Sequence, residues 1–134
     1  MSKQIFRLSL NSTYEESEKV PDFVTEIQEK SQLEEDATGN LMLLLSEAVT
    51  NAIVHGNKLD ESKKVEVEVH VNSEKIISTV KDQGKGFNPK TTKNPLKEEN
   101  LLRDSGRGIF LIREISDSMD YLEDGTKIRF SLSR

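Results

Sequence analysis

Apolar residues occupy every second position of Lys64–Val71, where four valines alternate with polar residues. An apolar period of two predicts a half-buried β-strand. Residues 72–74 form a polar turn sequence and residues 75–80 can supply an antiparallel partner, so the two segments predict a hairpin. Residues 5–10 predict another short strand, which residues 11–13 follow as a turn or helix cap.

Two segments have the apolar spacing of three and four residues that is typical of amphipathic helices. The first, residues 14–32, is highly charged and has Pro21 near a first turn or a break. The second, residues 35–54, is followed by Gly56, which can take the left-handed conformation that ends helices. The apolar positions are Val20, Phe23, Val24 and Ile27 in the first helix and Leu41, Leu44, Leu45, Ala48, Ala52 and Ile53 in the second.

The regular pattern stops after Lys81. From there to Arg107 the chain contains three glycines and two prolines among charged residues. An irregular segment of this length inside a compact domain is usually a lid or a binding loop. We therefore predict a lid at about residues 83–107.

The end of the chain predicts a short helix at residues 108–115 and a closing hairpin. The hairpin strands, residues 119–122 and 126–132, flank the pair Asp124 and Gly125. An Asp-Gly pair between two apolar segments is a strong hairpin signal, because both residues tolerate positive φ.

The 134 residues are a usual length for one domain. Strands and helices do not alternate regularly along the chain, which argues against a doubly wound parallel sheet. We predict an α+β fold, a two-layer α/β sandwich whose sheet is mostly antiparallel and carries helices on one face. A single domain would span residues 1–134.

The net charge of −5 argues against binding to a nucleic-acid backbone or to an anionic membrane surface. The absence of cysteine excludes disulfides and thiolate metal sites. The longest apolar run, residues 41–45, is too short to span a membrane, and residues 1–10 carry no apolar run of signal-peptide length. We therefore expect a cytoplasmic protein with no direct contact to nucleic acid or membrane.

Three segments have residues suited to nucleotide chemistry. In the first, Glu47, Asn51 and His55 are spaced four residues apart and would share one face of the second helix. A carboxylate can accept a proton, an amide oxygen suits Mg²⁺, and an imidazole can donate to phosphate. A solvated polar helix face would show the same spacing.

In the second segment a predicted strand ends in Asp82, followed by Gly84 and Gly86. The glycines let the backbone turn tightly and approach a ligand closely. A buried carboxylate at a strand end can accept a hydrogen bond from the exocyclic amine of adenine. An ordinary Asp-Gly loop has the same sequence.

In the third segment Gly106, Arg107 and Gly108 open the short helix of residues 108–115. Backbone N–H groups at a helix N-terminus form a natural phosphate site, and an arginine would add positive charge. A flexible hinge is the alternative for these residues.

The order of these parts resembles the GHKL ATPases, the superfamily of gyrase, Hsp90, histidine kinases and MutL. The resemblance runs from the first strand to Leu132 and implies the GHKL fold with ATP and Mg²⁺ as cofactors. By resemblance, Asn51 is the Mg²⁺ ligand and Asp82 the adenine reader. Gly84 and Gly86 match the first glycine motif. Gly106 and Gly108 match the second, and Thr126 resembles the threonine that closes the adenine pocket.

Within that superfamily, residues 46–56 are similar to the anti-sigma-factor serine kinases of sporulation and stress-response switches. The resemblance implies that Glu47 is the general base, that a serine of a STAS-type antagonist is the substrate, and that a sigma factor and a second copy of the chain are partners. One departure is Asp104, where the family often has a basic residue; Arg103 and Arg107 are the nearest arginines. A regulatory ATP-binding module without phosphotransfer, or an ATP-binding domain that serves a histidine-kinase-like partner, are the alternatives.

Overall fold

A computed structural model describes residues 3–85 and 104–134, with the backbone alone for residues 104–107. Five strands form one sheet: β1 (Gln4–Asn11), β2 (Lys64–Val71), β3 (Lys75–Lys81), β4 (Ser118–Leu122) and β5 (Lys127–Ser133). Their order across the sheet is β1-β2-β3-β5-β4, and every neighbouring pair is antiparallel.

Four α-helices are described: α1 (Tyr14–Ser17), α2 (Lys19–Ser31), α3 (Glu35–Asn51) and α4 (Asp104–Ile115). A π-helical turn, Ala52–Gly56, continues α3. The valines of β2 are buried with the apolar faces of α2 and α3, whereas the alternate residues of β2 lie on the other side of the sheet. The two-layer α+β fold and its antiparallel sheet are therefore confirmed.

The segment predicted as one helix, residues 14–32, is divided at Glu18. Thr13 caps α1, since its hydroxyl accepts a hydrogen bond from the Glu16 N–H at 3.2 Å. Pro21 lies in the first turn of α2, where its missing N–H costs no helical hydrogen bond. Likewise α4 begins at Asp104 rather than at Gly108, so glycines at 106 and 108 do not prevent helix formation there.

The helix ends at Gly56, as predicted, but this glycine does not adopt the left-handed conformation. Positive φ angles occur instead at Lys58 and Leu59, with values of 53° and 60°. The π turn ends the helix at Gly56. Glycine is required at this position for a steric reason, because Asp82 lies too close for a Cβ atom.

One helix, Glu35–Gly56, is long and apolar enough to cross a membrane by length and composition, although no run of residues suggested a span. Its apolar residues are packed in the core, and Leu41, Leu44 and Leu45 are fully buried. The core helix of a soluble domain meets the same criteria, so this feature is weak support for a membrane span.

Candidate functional site

The π turn at the end of α3 forms one wall of the candidate site. The Asn57 N–H donates to the Ala52 carbonyl oxygen, five residues back, at 2.8 Å. The Leu59 N–H donates to the Ile53 carbonyl oxygen at 2.9 Å. Such wide turns are rare and often occur at functional sites, because they change the direction in which the following residues project.

Asp82 lies in a tight turn directly after β3. Its N–H donates to the Thr126 carbonyl oxygen at 2.8 Å, and its Oδ1 accepts a hydrogen bond from the Gly84 N–H at 2.8 Å. Burial raises the pKa of Asp82 above its ordinary value, although the Gly84 hydrogen bond and the charges of Lys81 and Lys63 oppose that shift. The turn therefore presents a half-buried carboxylate whose position is fixed by backbone hydrogen bonds.

Two glycines allow this turn to lie directly against the end of α3. A Cβ atom on Gly56 would lie 2.3 Å from Asp82 Oδ2, and one on Gly84 would lie 2.1 Å from the Gly56 carbonyl oxygen. Real Cβ contacts are essentially never shorter than 3.0 Å. Only glycine at both positions lets the Asp82 carboxylate and the π turn come this close.

The Asn57 side chain is the second connection between α3 and this turn. Its Oδ1 accepts a hydrogen bond from the Gln83 N–H at 2.7 Å. Its Nδ2 donates to Ser12 Oγ at 2.8 Å and to the Lys64 carbonyl oxygen at 3.0 Å. The buried amide thus connects four chain segments beside Asp82.

Glu47 and Asn51 meet α4 on the neighbouring side of α3. A Cβ atom on Gly108 would lie 2.8 Å from Glu47 Oε2 and 3.2 Å from Asn51 Nδ2. Both side chains are partly exposed. The structure therefore joins the first predicted segment to the third through Gly108, and to the second through Gly56.

His55 is exposed on the π turn, and no described contact joins it to the group around Gly108. The Thr126 hydroxyl donates to the Glu123 carbonyl oxygen at 2.7 Å within the hairpin turn. Its connection to Asp82 is through its own carbonyl oxygen. The roles predicted for the His55 and Thr126 side chains stay predictions.

Other predicted residues are described in part or not at all. Gly106 and Arg107 lie in the first turn of α4, where the backbone alone is described. Gly86, Arg103 and residues 86–103 of the predicted lid lie outside the described residues. Within residues 3–85 and 108–134, no group of three His, Cys, Asp or Glu side chains could hold a metal ion.

Sequence reasoning did not identify Asn57, Ser12 or Gln83 as parts of the site. The available signal was weak: an asparagine beside a glycine in a polar segment is usually exposed. Here Asn57 is only 1% exposed, and this burial depends on segments that are remote in sequence.

The structure thus combines an antiparallel sheet covered by helices with a half-buried carboxylate and a polar helix face at one end. The profile of the histidine kinase-like ATPase domain matches residues 10–132. This chain belongs to that family. Membership implies the use of ATP, usually with Mg²⁺.

Two kinds of relative are similar to this chain. The chain is 29% identical over 100 residues to the "Serine-protein kinase RsbW" of Listeria innocua serovar 6a, which covers 69% of this chain and 64% of that protein. It is 39% identical over 89 residues to the "Anti-sigma F factor" of Clostridium perfringens strain SM101. That match covers 63% of this chain and 64% of the relative. The chain thus spans under two thirds of the length of either relative, and it is similar to both serine-protein kinases and anti-sigma factors.

Proposed function

We propose that this protein binds ATP with Mg²⁺ and transfers the γ-phosphoryl group to a serine of a STAS-type antagonist, and that it also sequesters a sigma factor. The observation that carries the proposal is the meeting of the three segments. Gly56 lies against Asp82, and Gly108 lies against Glu47 and Asn51. Family membership and the names of the relatives supply the class of reaction.

Asp82 is the adenine reader in this proposal. Its partly buried carboxylate can accept a hydrogen bond from the exocyclic amine, and a hydrogen bond to a charged acceptor is stronger than one between neutral groups. Gly84, together with Gly86 and Thr126, would complete the wall around the base. The close packing of Gly56 and Gly84 holds the turn that presents this carboxylate against the end of α3.

The triphosphate would extend from Asp82 towards Asn51 and the start of α4. The Asn51 side-chain oxygen fits Mg²⁺, which prefers hard oxygen ligands and is usually held by few protein groups together with phosphates. When bound, Mg²⁺ would neutralise phosphate charge. Phosphate oxygens would be held by the amides near Gly106 and by the His55 and Arg107 side chains.

Glu47 is the proposed general base, because a carboxylate can take the proton of an attacking serine hydroxyl. The serine oxygen forms a bond to the γ-phosphorus while the bond from that phosphorus to the bridging oxygen of ADP breaks. The hydroxyl proton moves to Glu47. The remaining contribution of the protein is to position the reactants and to stabilise negative charge.

The proposed partners are a STAS-type antagonist, a sigma factor and a second copy of this chain, all in the cytoplasm. For the homodimer, β1 lies at an edge of the sheet, and an exposed sheet edge can pair with another chain. Ile5 on β1 is 44% exposed and Tyr14 on α1 is 62% exposed. These two elements are the proposed dimer surface.

The first experiment measures the thermal shift with Mg-ATP for the wild type and for Asp82→Asn. A ligand at 100 times its Kd should stabilise the fold by about 2.7 kcal/mol, or a few degrees. A wild-type shift that Asp82→Asn loses supports the site, whereas no wild-type shift contradicts ATP binding by the isolated chain.

The second experiment follows phosphate transfer from Mg-ATP to STAS-type proteins. Glu47→Ala should abolish transfer and spare ATP binding. Transfer that survives in Glu47→Ala would refute the assignment of the base. ATP binding without transfer favours a regulatory module, and phosphate found on histidine or aspartate favours service to a phosphorelay partner.

A further inference from the structure

Asn57 is one of the most buried polar residues among those described, with 1% of its surface exposed. Its orientation is determined by its partners. The Gln83 N–H is a donor and requires Oδ1, whereas the Lys64 carbonyl oxygen is an acceptor and requires Nδ2. The amide is therefore held in one orientation.

The acceptor side of this amide is directed at the turn that presents Asp82. The N–H of Asp82 is held by Thr126 from the closing hairpin, and the N–H of the next residue, Gln83, is held by Asn57 from the end of α3. Two successive amides are thus fixed by two different elements. Since backbone direction at a turn sets the direction of its side chains, the two bonds together orient the carboxylate.

The donor side of the amide is anchored away from the turn. Ser12, which receives one of its hydrogen bonds, is itself fully buried and donates to the Lys63 carbonyl oxygen at 2.8 Å. The Lys64 carbonyl oxygen, at the start of β2, receives the other. The side-chain oxygen of Gln83 also accepts a hydrogen bond from the Lys64 N–H. Asn57 therefore has a fixed support from which it holds Gln83.

On the basis of the proposed function, we infer that Asn57 is the positioning residue of the adenine-reading turn: its buried amide sets the Asp82 carboxylate so that the protein distinguishes an amine from a carbonyl at the purine 6-position. An apolar residue of similar size could fill the same space, yet it could not accept the hydrogen bond from the Gln83 N–H. A buried amide with all three bonds made gives specificity that packing alone cannot.

The test compares the Kd of Mg-ATP with that of Mg-inosine triphosphate, whose base has a carbonyl oxygen where adenine has an amine. Wild-type protein should prefer ATP, because a carboxylate accepts from an amine and repels a carbonyl oxygen. Asn57→Ala should reduce this preference about 10-fold, the worth of one hydrogen bond to a charged group. In an Asp82→Ala background the same substitution should leave the ratio unchanged.

Val69→Ala is the matched control, because it truncates a fully buried side chain in the middle of the sheet. It should lower the melting temperature without changing the ratio of the two Kd values. A purely structural Asn57 would behave in the same way, so an unchanged ratio in Asn57→Ala overturns the inference. Wild-type protein that binds neither nucleotide would instead refute the proposed function.

Hydrogen exchange supplies a second test that needs no variant. The side chain of Gln83 is exposed, yet its N–H is bonded to a buried amide. We expect the Gln83 amide of the nucleotide-free protein to exchange much more slowly than the amide of exposed Lys85. Equal exchange at the two residues would show that Asn57 does not hold the turn.

Discussion

The two ends of the proposed nucleotide site differ in how the protein itself supports them. At the proposed adenine end, the Asp82 carboxylate and the amides of Asp82 and Gln83 all have hydrogen-bond partners within the protein. At the proposed phosphate end, no hydrogen bond joins the side chains of Glu47 and Asn51 to a residue whose side chain is described, in 3–85 and 108–134. Among the residues whose side chains are described, the first end is fixed by hydrogen bonds within the protein and the second is not.

This difference is consistent with different tasks. Reading a base requires a rigid group, since a carboxylate that could rotate could turn away from the 6-position and would no longer distinguish an amine from a carbonyl oxygen there. Binding phosphate and a cation requires groups that can still form bonds, because Mg²⁺ and phosphate oxygens need ligands. Substitutions at the adenine end should therefore affect stability and base affinity, and those at the phosphate end should affect transfer.

The largest effect is expected from Gly84→Ala. The new Cβ would lie 2.1 Å from the Gly56 carbonyl oxygen, so two backbone segments must separate. We expect a loss of about 2–3 kcal/mol in the free energy of unfolding, measured by chemical denaturation. Gly39→Ala is the control: nothing lies within 4 Å of its new Cβ, and alanine in a helix should add about 1 kcal/mol. A Gly84→Ala protein as stable as wild type would mean that the two glycines do not meet.

Gly56→Ala should act on affinity more than on stability. Its Cβ would lie 2.3 Å from Asp82 Oδ2, and a side chain can rotate away where a backbone cannot. We expect the Kd for ATP and for ADP, measured by calorimetry, to rise equally by roughly 10-fold or more, because both share the base. A larger loss for ATP than for ADP would place Gly56 at the phosphate end and break the comparison.

Gly108→Ala tests the phosphate end. Its Cβ would lie 2.8 Å from Glu47 Oε2 and 3.2 Å from Asn51 Nδ2, both on flexible side chains. We expect stability to change by less than about 0.5 kcal/mol, because alanine favours the helix, while the transfer rate falls about 10-fold. ATP affinity without Mg²⁺ should be unaffected. An equal loss of affinity with and without Mg²⁺ would contradict the assignment of Asn51 to the cation.

The smallest effect, and one of opposite sign, is expected from Asp82→Asn in the absence of nucleotide. Because the pKa of Asp82 is raised by burial, the folded state holds this proton more strongly than the unfolded state, and the contribution of this group to stability falls as pH rises above 3.8. Asparagine has no charge to bury and keeps an oxygen for the Gly84 N–H. We expect the free energy of unfolding to rise by roughly 0.5–1 kcal/mol at pH 7, and this gain to shrink towards pH 4. Thermal denaturation at a series of pH values measures it.

Asp60→Asn is the opposite case for that measurement. The Ser62 hydroxyl and N–H hold the pKa of Asp60 below its ordinary value, so this carboxylate contributes stability above pH 3.8 that is lost as pH falls. Replacement of Asp60 by asparagine should not raise the free energy of unfolding at pH 7. Equal gains from both substitutions would show that the effect comes from net charge and not from burial.

Elements with a strong local pattern were predictable. The alternating valines of β2, the hairpin to β3 and the Asp-Gly turn before β5 all occur as predicted. Each depends on residues that are close in sequence, since a strand period or a turn residue acts within a few positions. The order of the glycine and polar motifs likewise predicted the family, which the profile match confirms.

The sequence by itself determined the apolar faces, the family and the residue types available for chemistry. Only the tertiary structure decided what Gly56 and Asn57 do. Gly56 is a glycine because Asp82 lies against it, and Asn57 is buried because Ser12, Lys64 and Gln83 surround it. Those partners are up to 45 residues away along the chain. Close approach and burial are properties of pairs of distant segments, so no local pattern can encode them.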